Sequence, residues 1–179
     1  MLMSKAWSRV CKDALLVYAH RDQYAYLYGA NGERPANVTE ATQLVNRLWN
    51  AYPAHFQQTV INQGHTKKEL IYHIVGRQCF DCSSFVCAVT QSDYPNLRVT
   101  RDYNSTGLIS QCAVQTTVAK GYAGSVLWKS GHVAIDCGYG VCVDFGNEWL
   151  DCRQYAAPEG GFTKSGQLPW VDYTGSNDR

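Results

Sequence analysis

A chain of 179 residues with 45% hydrophobic content is long enough to bury one good core and too short for two comfortable domains, so a single domain over 1–179 is expected. The formal net charge is +1 and no basic run exceeds the Lys67-Lys68 pair, which excludes the electrostatic footprint of a nucleic-acid binder. No apolar run approaches the length that spans a bilayer, so no membrane partner is expected.

The opening stretch "MLMSKAWSRVCKDALLVYAH" carries early positive charge, but Lys12 and Asp13 interrupt its apolar part and no small-residue cleavage site follows. It reads as a helix over residues 4 to 20, with Trp7, Val10, Ala14, Val17 and Tyr18 on one face. On that reading the protein is made in the cytoplasm without a signal peptide, and its eight cysteines (11, 79, 82, 87, 112, 137, 142, 152) are reduced and mostly buried.

"YLYGANGERPAN" (26 to 37) marks a loop through its two glycines, proline and two asparagines. A second helix is expected from Thr39 to Tyr52, with Leu44, Val45, Leu48 and Trp49 inward and Pro53 as its stop. A third runs from Thr66 to Val75, with Leu70, Ile71 and Ile74 as its stripe and Gly76 as its end. A fourth begins at Asp81 or Cys82 and runs to about Thr90. From Gly124 onward, "SVLW", "HVAIDC" and "VCVDF" are short β-rich runs split by "KSG" and "GYG", an antiparallel meander. Helices first and strands later give an α+β domain, and the tail "TGSNDR" is expected to fray.

Within "QCFDCSSFV" (78 to 86), Cys82 alone stands as nucleophile, metal ligand, disulfide half or core filler. A helix beginning at Cys82 leaves its first N–H groups open, and these with the peptide dipoles favour a thiolate, so a lowered Cys82 pKa is expected. Asp81 is a good cap for that helix. The partner is sought in "KSGHVAIDCGYGVCVDF". If "GYG" (138 to 140) is a three-residue loop, Cys137 lies opposite Val141 and Asp144 opposite Ala134. Alternation then puts His132, Ala134, Asp136, Cys142 and Asp144 on one polar face. Val133, Ile135, Cys137, Val141, Val143 and Phe145 share the other. Asp144 is then placed to bond one imidazole nitrogen of His132 and leave the other for Cys82, with Asp136 as competing orienter.

"FDCSSFV" followed by "GSVLWKSGHVAIDCGYG" resembles the NlpC-type cell-wall peptidases, a papain-like family, over roughly residues 24 to 146. "YLYGANGE" and "GQLPWVDY" are also similar to catalytic modules of phage endolysins from Gram-positive hosts. The resemblance implies helices packed on an antiparallel sheet, with Cys82 as nucleophile at a helix start, His132 as base and Asp144 as third residue. It implies hydrolysis of an amide bond in the peptidoglycan stem peptide, commonly after D-glutamate, by an enzyme that acts on the wall as a monomer without metal or cofactor. An N-acetylmuramoyl-L-alanine amidase with the same site is the alternative. Tyr28 (or Tyr26), Asp81 and Ser83 take the positions that in relatives hold the substrate's free amine. This chain departs from the family pattern in having Ser84 where glycine is usual, which is expected to narrow the cleft, and Ser125 in place of the acid of a "GD" turn. Asp144 fills a slot more often held by His, Asn or Gln, and a helical insertion occupies about 36 to 76.

Three other readings compete. Cys79 and Cys82 form a C-x-x-C that, with Cys137 and Cys142, has the ligands for a structural zinc site, but the register above sends the second pair to opposite faces. A thioredoxin-like redox role lacks its βαβ context, although Cys79 is placed to trap Cys82 as a disulfide. A wall-binding module without chemistry is the third.

Overall fold

The computed structural model describes residues 4–176. In chain order the elements are β1 (Lys5–Ala6), α1 (Trp7–Ala19), β2 (Tyr24–Tyr26), α2 (Val38–Ala51), α3 (Pro53–Thr59), α4 (Lys67–Ile74), β3 (Gln78–Phe80), α5 (Cys82–Gln91) and α6 (Ser105–Gln111). They continue as β4 (Val114–Thr116), β5 (Val126–Lys129), β6 (His132–Gly138), β7 (Val141–Phe145), β8 (Cys152–Ala156), β9 (Lys164–Gln167) and β10 (Val171–Asp172). Six strands form one antiparallel sheet in the order β4-β9-β5-β6-β7-β8, and β1-β10 and β2-β3 make two short parallel ladders. Helices with an antiparallel sheet make the chain α+β.

The first helix forms where expected because Val10, Ala14 and Val17 recur at helical spacing and all three are fully buried. Caps set the next ones. Asn37 accepts from the Glu40 N–H at the start of α2, and Thr66 with Glu69 closes a capping box at the start of α4. Pro53 stops α2 as expected: the helix ends at Ala51, and Tyr52 is outside helical geometry (φ −131°, ψ 53°). The same proline opens α3 directly after α2, because a residue without an N–H costs nothing in a first turn whose N–H groups lack intrahelical partners.

Two main apolar clusters result. The main one joins α1, α5 and one sheet face through residues such as Val10, Phe85, Val86, Val133, Ile135, Val143 and Phe145. The second gathers α2, α3 and α4 around Leu44, Val45, Phe56, Leu70 and Ile74. Residues Cys82 to Thr90 are all buried, so α5 is a central helix rather than an amphipathic cover.

The β6–β7 hairpin departs from the expected loop. Gly138 pairs with Val141, so the turn has two residues, Tyr139 and Gly140, both at positive φ (51° and 74°). Cys137 is an extra residue between the Asp136–Cys142 and Gly138–Val141 pairs, and therefore does not lie opposite Val141. The bulge restores the parity that a two-residue turn alone would flip. Ile135 faces Val143, and one step back along the ladder Ala134 falls opposite Asp144. The face carrying Ala134 and Cys142 is not open. It is covered by Leu127, Ala157 and Phe162 in a third, smaller cluster.

The tail is tied down as far as it is described: Asp172 accepts from the N–H and hydroxyl of Thr174, whose carbonyl receives Trp7 Nε1 at 3.3 Å. The rest of the expected frayed end, residues 177 to 179, and the first three residues of the opening stretch lie outside the described residues.

Candidate functional site

Asp81 precedes α5 in extended conformation and caps it. Its Oδ1 accepts from the Ser83 N–H (3.0 Å), the Ser84 N–H (2.8 Å) and the Ser83 hydroxyl (2.9 Å), and its Oδ2 accepts from the Gly29 N–H (3.3 Å). Ser84 completes a capping box by accepting from the Asp81 N–H at 2.9 Å and donating to the Ala30 carbonyl at 2.6 Å. Its side chain is thus fully buried and tied to the loop behind α5, so it does not narrow the cleft.

Cys82 is the first residue of α5, 8% exposed. Its side chain borders a cleft of ≈ 350 Å³, whose lining also includes Tyr28, Tyr52, Asp81, Ser83 and Asp102. The thiol does not have the lowered pKa that the helix start suggested. Burial, and next the Asp81 carboxylate, push it up to about 12. The reason is local. The two N–H groups that would have met a thiolate are already bonded to Asp81, leaving a weak contribution from the Ser83 N–H and another from the Val133 N–H.

Val133 follows His132, the first residue of β6. Here the sulfur of α5 meets the strand that carries the imidazole. His132 Nε2 lies 2.6 Å from Asp144 Oδ2, so the carboxylate fixes the ring and leaves Nδ1 free of it. Asp144 is fully buried and receives two further donors from β8, Arg153 (Nε to Oδ1 2.9 Å, Nη2 to Oδ2 2.5 Å) and the Tyr155 hydroxyl (2.7 Å). Register explains both: Arg153 pairs directly with Asp144 across the ladder and Tyr155 pairs with Cys142 two residues away. Burial alone would raise the Asp144 pKa, but the bonds from His132, Arg153 and Tyr155 outweigh it and hold the carboxyl below its ordinary value. Asp136 does not take this role. Its Oδ1 accepts from the Gly138 N–H at 2.9 Å and so closes its own bulge.

Tyr28 and Tyr26 separate clearly. Tyr28 lines the cleft, whereas Tyr26 is 4% exposed in the main cluster, and both phenols are raised first by burial. Tyr52 lies edge-on to Tyr28 (ring centroids 5.1 Å apart, 87°). Glycine is required at position 29: φ is +78°, and a Cβ there would sit 2.6 Å from the Tyr52 ring.

The structure thus brings His132 onto Asp144 and gathers Cys82, Asp81, Ser83 and Tyr28 around one cleft, whose lining does not include His132; the Val133 N–H, next to His132 on β6, is near enough to favour a Cys82 anion. Sequence reasoning missed Arg153 and Tyr155, because "CRQYA" lacks a strand signature. It also missed Tyr52 as a lining residue, because the residue just before Pro53 reads as the end of a helix face rather than as part of a cleft. A larger depression of ≈ 540 Å³ lies beside β8, bordered by Arg21, Lys129 and Arg153, away from Cys82.

All eight cysteines are free thiols. Cys79 packs in the second cluster and Cys82 in the main one, and among the described residues no group of three or more His, Cys, Asp or Glu could hold a metal ion. Among these residues no helix is long and apolar enough to cross a membrane. No family model, curated protein or solved structure matches the chain.

Proposed function

We propose that the chain is a thiol hydrolase of papain-like arrangement that cleaves an amide bond in the peptidoglycan stem peptide, as an endolysin-type endopeptidase does. The observation that carries this reading is a cysteine at a helix start, bordering a cleft and packed in the same core cluster as the strand whose first residue is a histidine locked by a buried carboxylate. Nucleophile, base and orienter arranged in this order are what acyl transfer needs.

Because the thiol rests neutral, His132 acts as a general base during attack rather than as a standing imidazolium partner. Cys82 Sγ adds to the carbonyl carbon as Nδ1 of His132 takes its proton. The imidazolium passes that proton to the leaving amine, the C–N bond breaks and a thioester remains. Water, deprotonated by the same imidazole, then releases the acid and restores the thiol. Asp144, kept ionised by Arg153 and Tyr155, stabilises the imidazolium and takes up no proton itself. Asp81 takes the N–H groups of Ser83 and Ser84, which leaves the Cys82 N–H to meet the oxyanion. Aromatic walls from Tyr28 and Tyr52, beside the carboxylates of Asp81 and Asp102, suit a peptide that carries an amine.

Mass spectrometry of purified peptidoglycan digested with wild type and with Cys82→Ala tests the reading. New stem-peptide termini in the wild-type digest alone are expected, and their position separates an endopeptidase from an N-acetylmuramoyl-L-alanine amidase. Identical fragments from both proteins would discard the hydrolase reading and favour a module that binds walls without chemistry.

A further inference from the structure

Behind the cleft wall, the helical segment α2–α4 meets Tyr28 through a residue that the proposed chemistry does not use. His55, on α3, lies face to face with Tyr28, with ring centroids 3.8 Å apart and planes at 19°. Its Nε2 is 2.8 Å from Oε1 of Glu148, in the loop after β7. That carboxylate is fully buried, and its Oε2 has no hydrogen-bond partner among the described residues. A buried carboxylate with a single partner is costly, and an apolar pair of similar volume would pack the same space without that cost. What the hydrogen bond adds is direction. It fixes the rotation of the imidazole, while Phe56 meets the same ring edge-on at 5.4 Å. Tyr28 is therefore held between His55 on its face and Tyr52 at its edge, and it packs against both main clusters.

We propose that His55 and Glu148 are positioning residues that fix Tyr28 as the aromatic wall of the Cys82 cleft, so that the helical segment sets substrate affinity and leaves the chemical step alone. This rests on the hydrolase reading above. Neither residue borders the cleft itself, and neither is among the groups that touch Cys82, His132 or Asp144. Their influence on substrate passes through the Tyr28 ring.

The variants to compare are His55→Gln, which keeps a donor for Glu148 and loses the stacked ring, and Glu148→Leu, which fills similar space and removes the acceptor that fixes the His55 ring. On a soluble muropeptide that the wild type cleaves, His55→Gln is expected to raise KM about tenfold with kcat within about twofold, since stacking acts on binding. Glu148→Leu is expected to raise KM in the same sense, by about threefold, with kcat within about twofold. A second readout needs no substrate. The Tyr28 ring resonances, assigned with Tyr28→Phe and shifted upfield by the stacked imidazole, should move toward free tyrosine in His55→Gln and part of the way in Glu148→Leu. An unchanged KM in His55→Gln, a loss confined to kcat, or Tyr28 resonances that do not move overturns the proposal. If the wild type cleaves no muropeptide, the hydrolase reading fails by itself, and the resonance measurement still decides whether His55 places Tyr28.

Discussion

At Cys82 two properties of the same helix start oppose each other. The open end of a helix favours an anion, but the residue that caps this end is itself an anion and occupies the donors. With the pKa pushed up to about 12, alkylation of Cys82 by iodoacetamide is expected to rise roughly tenfold per pH unit from about pH 6 to 10, following the thiolate fraction. A rate that levels off near neutrality would mean a standing thiolate–imidazolium pair instead. Asp144 works in the reverse direction. Three donors converge on it, and an amide there cannot accept from all of them. Asp144→Asn should therefore lower kcat about a thousandfold with little change in KM, measured on a cleavable muropeptide. Its pKa also fixes a sign. A carboxyl lowered by folding contributes stability that is fully present above about pH 4, the ordinary Asp value, and is lost as pH falls through the depressed folded value. Acid unfolding followed by circular dichroism should show that loss in the wild type and a shallower pH dependence in Asp144→Asn.

The β6–β7 hairpin shows at the scale of one element what pattern alone reveals. Its turn is a two-residue loop with both residues at positive φ, and Tyr139, fully exposed at φ 51°, is a poor occupant of that conformation. Tyr139→Asn gives the Asn-Gly pair such turns prefer. It should raise stability by about 0.5 kcal/mol in urea unfolding without altering activity. A loss of stability would show that the Tyr139 ring packs usefully in solution. The polar and apolar faces around His132 and Asp144 were legible because alternation has a fixed period of two, and the main core selects one parity. The turn was not legible: a bulge at Cys137 makes a two-residue loop mimic the parity of a three-residue one, and no residue type there announces it. Strand β8 escaped notice because Cys152 to Ala156 alternate only weakly in polarity, so the Arg153 and Tyr155 support for Asp144 stayed hidden. β9, "KSGQ", has no β-branched residue at all. It is a strand because β4 and β5 ladder it from both sides, and Gly166 leaves room for Cys112, whose sulfur would stand 2.6 Å from a Cβ there. The charge state of Cys82 was equally hidden, since burial is a property of the assembled fold and spacing does not report it.

At the scale of the whole molecule, the loop from Gly146 to Asp151 fastens the helical segment to the sheet. Trp149 Nε1 donates to the Thr59 carbonyl at 3.1 Å, and the Trp149 ring stacks on His65 at 3.8 Å. Asp151 then ties three elements at once: its carboxylate receives the Tyr26 N–H of β2 (2.8 Å), His73 Nε2 of α4 (3.0 Å) and Arg77 Nη1 before β3 (3.1 Å). It does so from a left-handed backbone, φ 45°, which Asp and Asn tolerate better than most residues. Asp151→Ala removes all three bonds and leaves the backbone strained, and should cost about 2–4 kcal/mol in urea unfolding. Asp151→Asn keeps the backbone preference and one acceptor oxygen, and should cost about half as much. The helical segment also supplies Tyr52 and His55 to the cleft side of the molecule, so the loss should reach function before it reaches global unfolding. Native-state hydrogen exchange on Asp151→Ala should show the amides of α2 and α4 losing protection ahead of those of β6 and β7. Uniform loss across both sets would mean that the second cluster and the sheet unfold as one cooperative unit, with Asp151 supporting the whole rather than the joint between them.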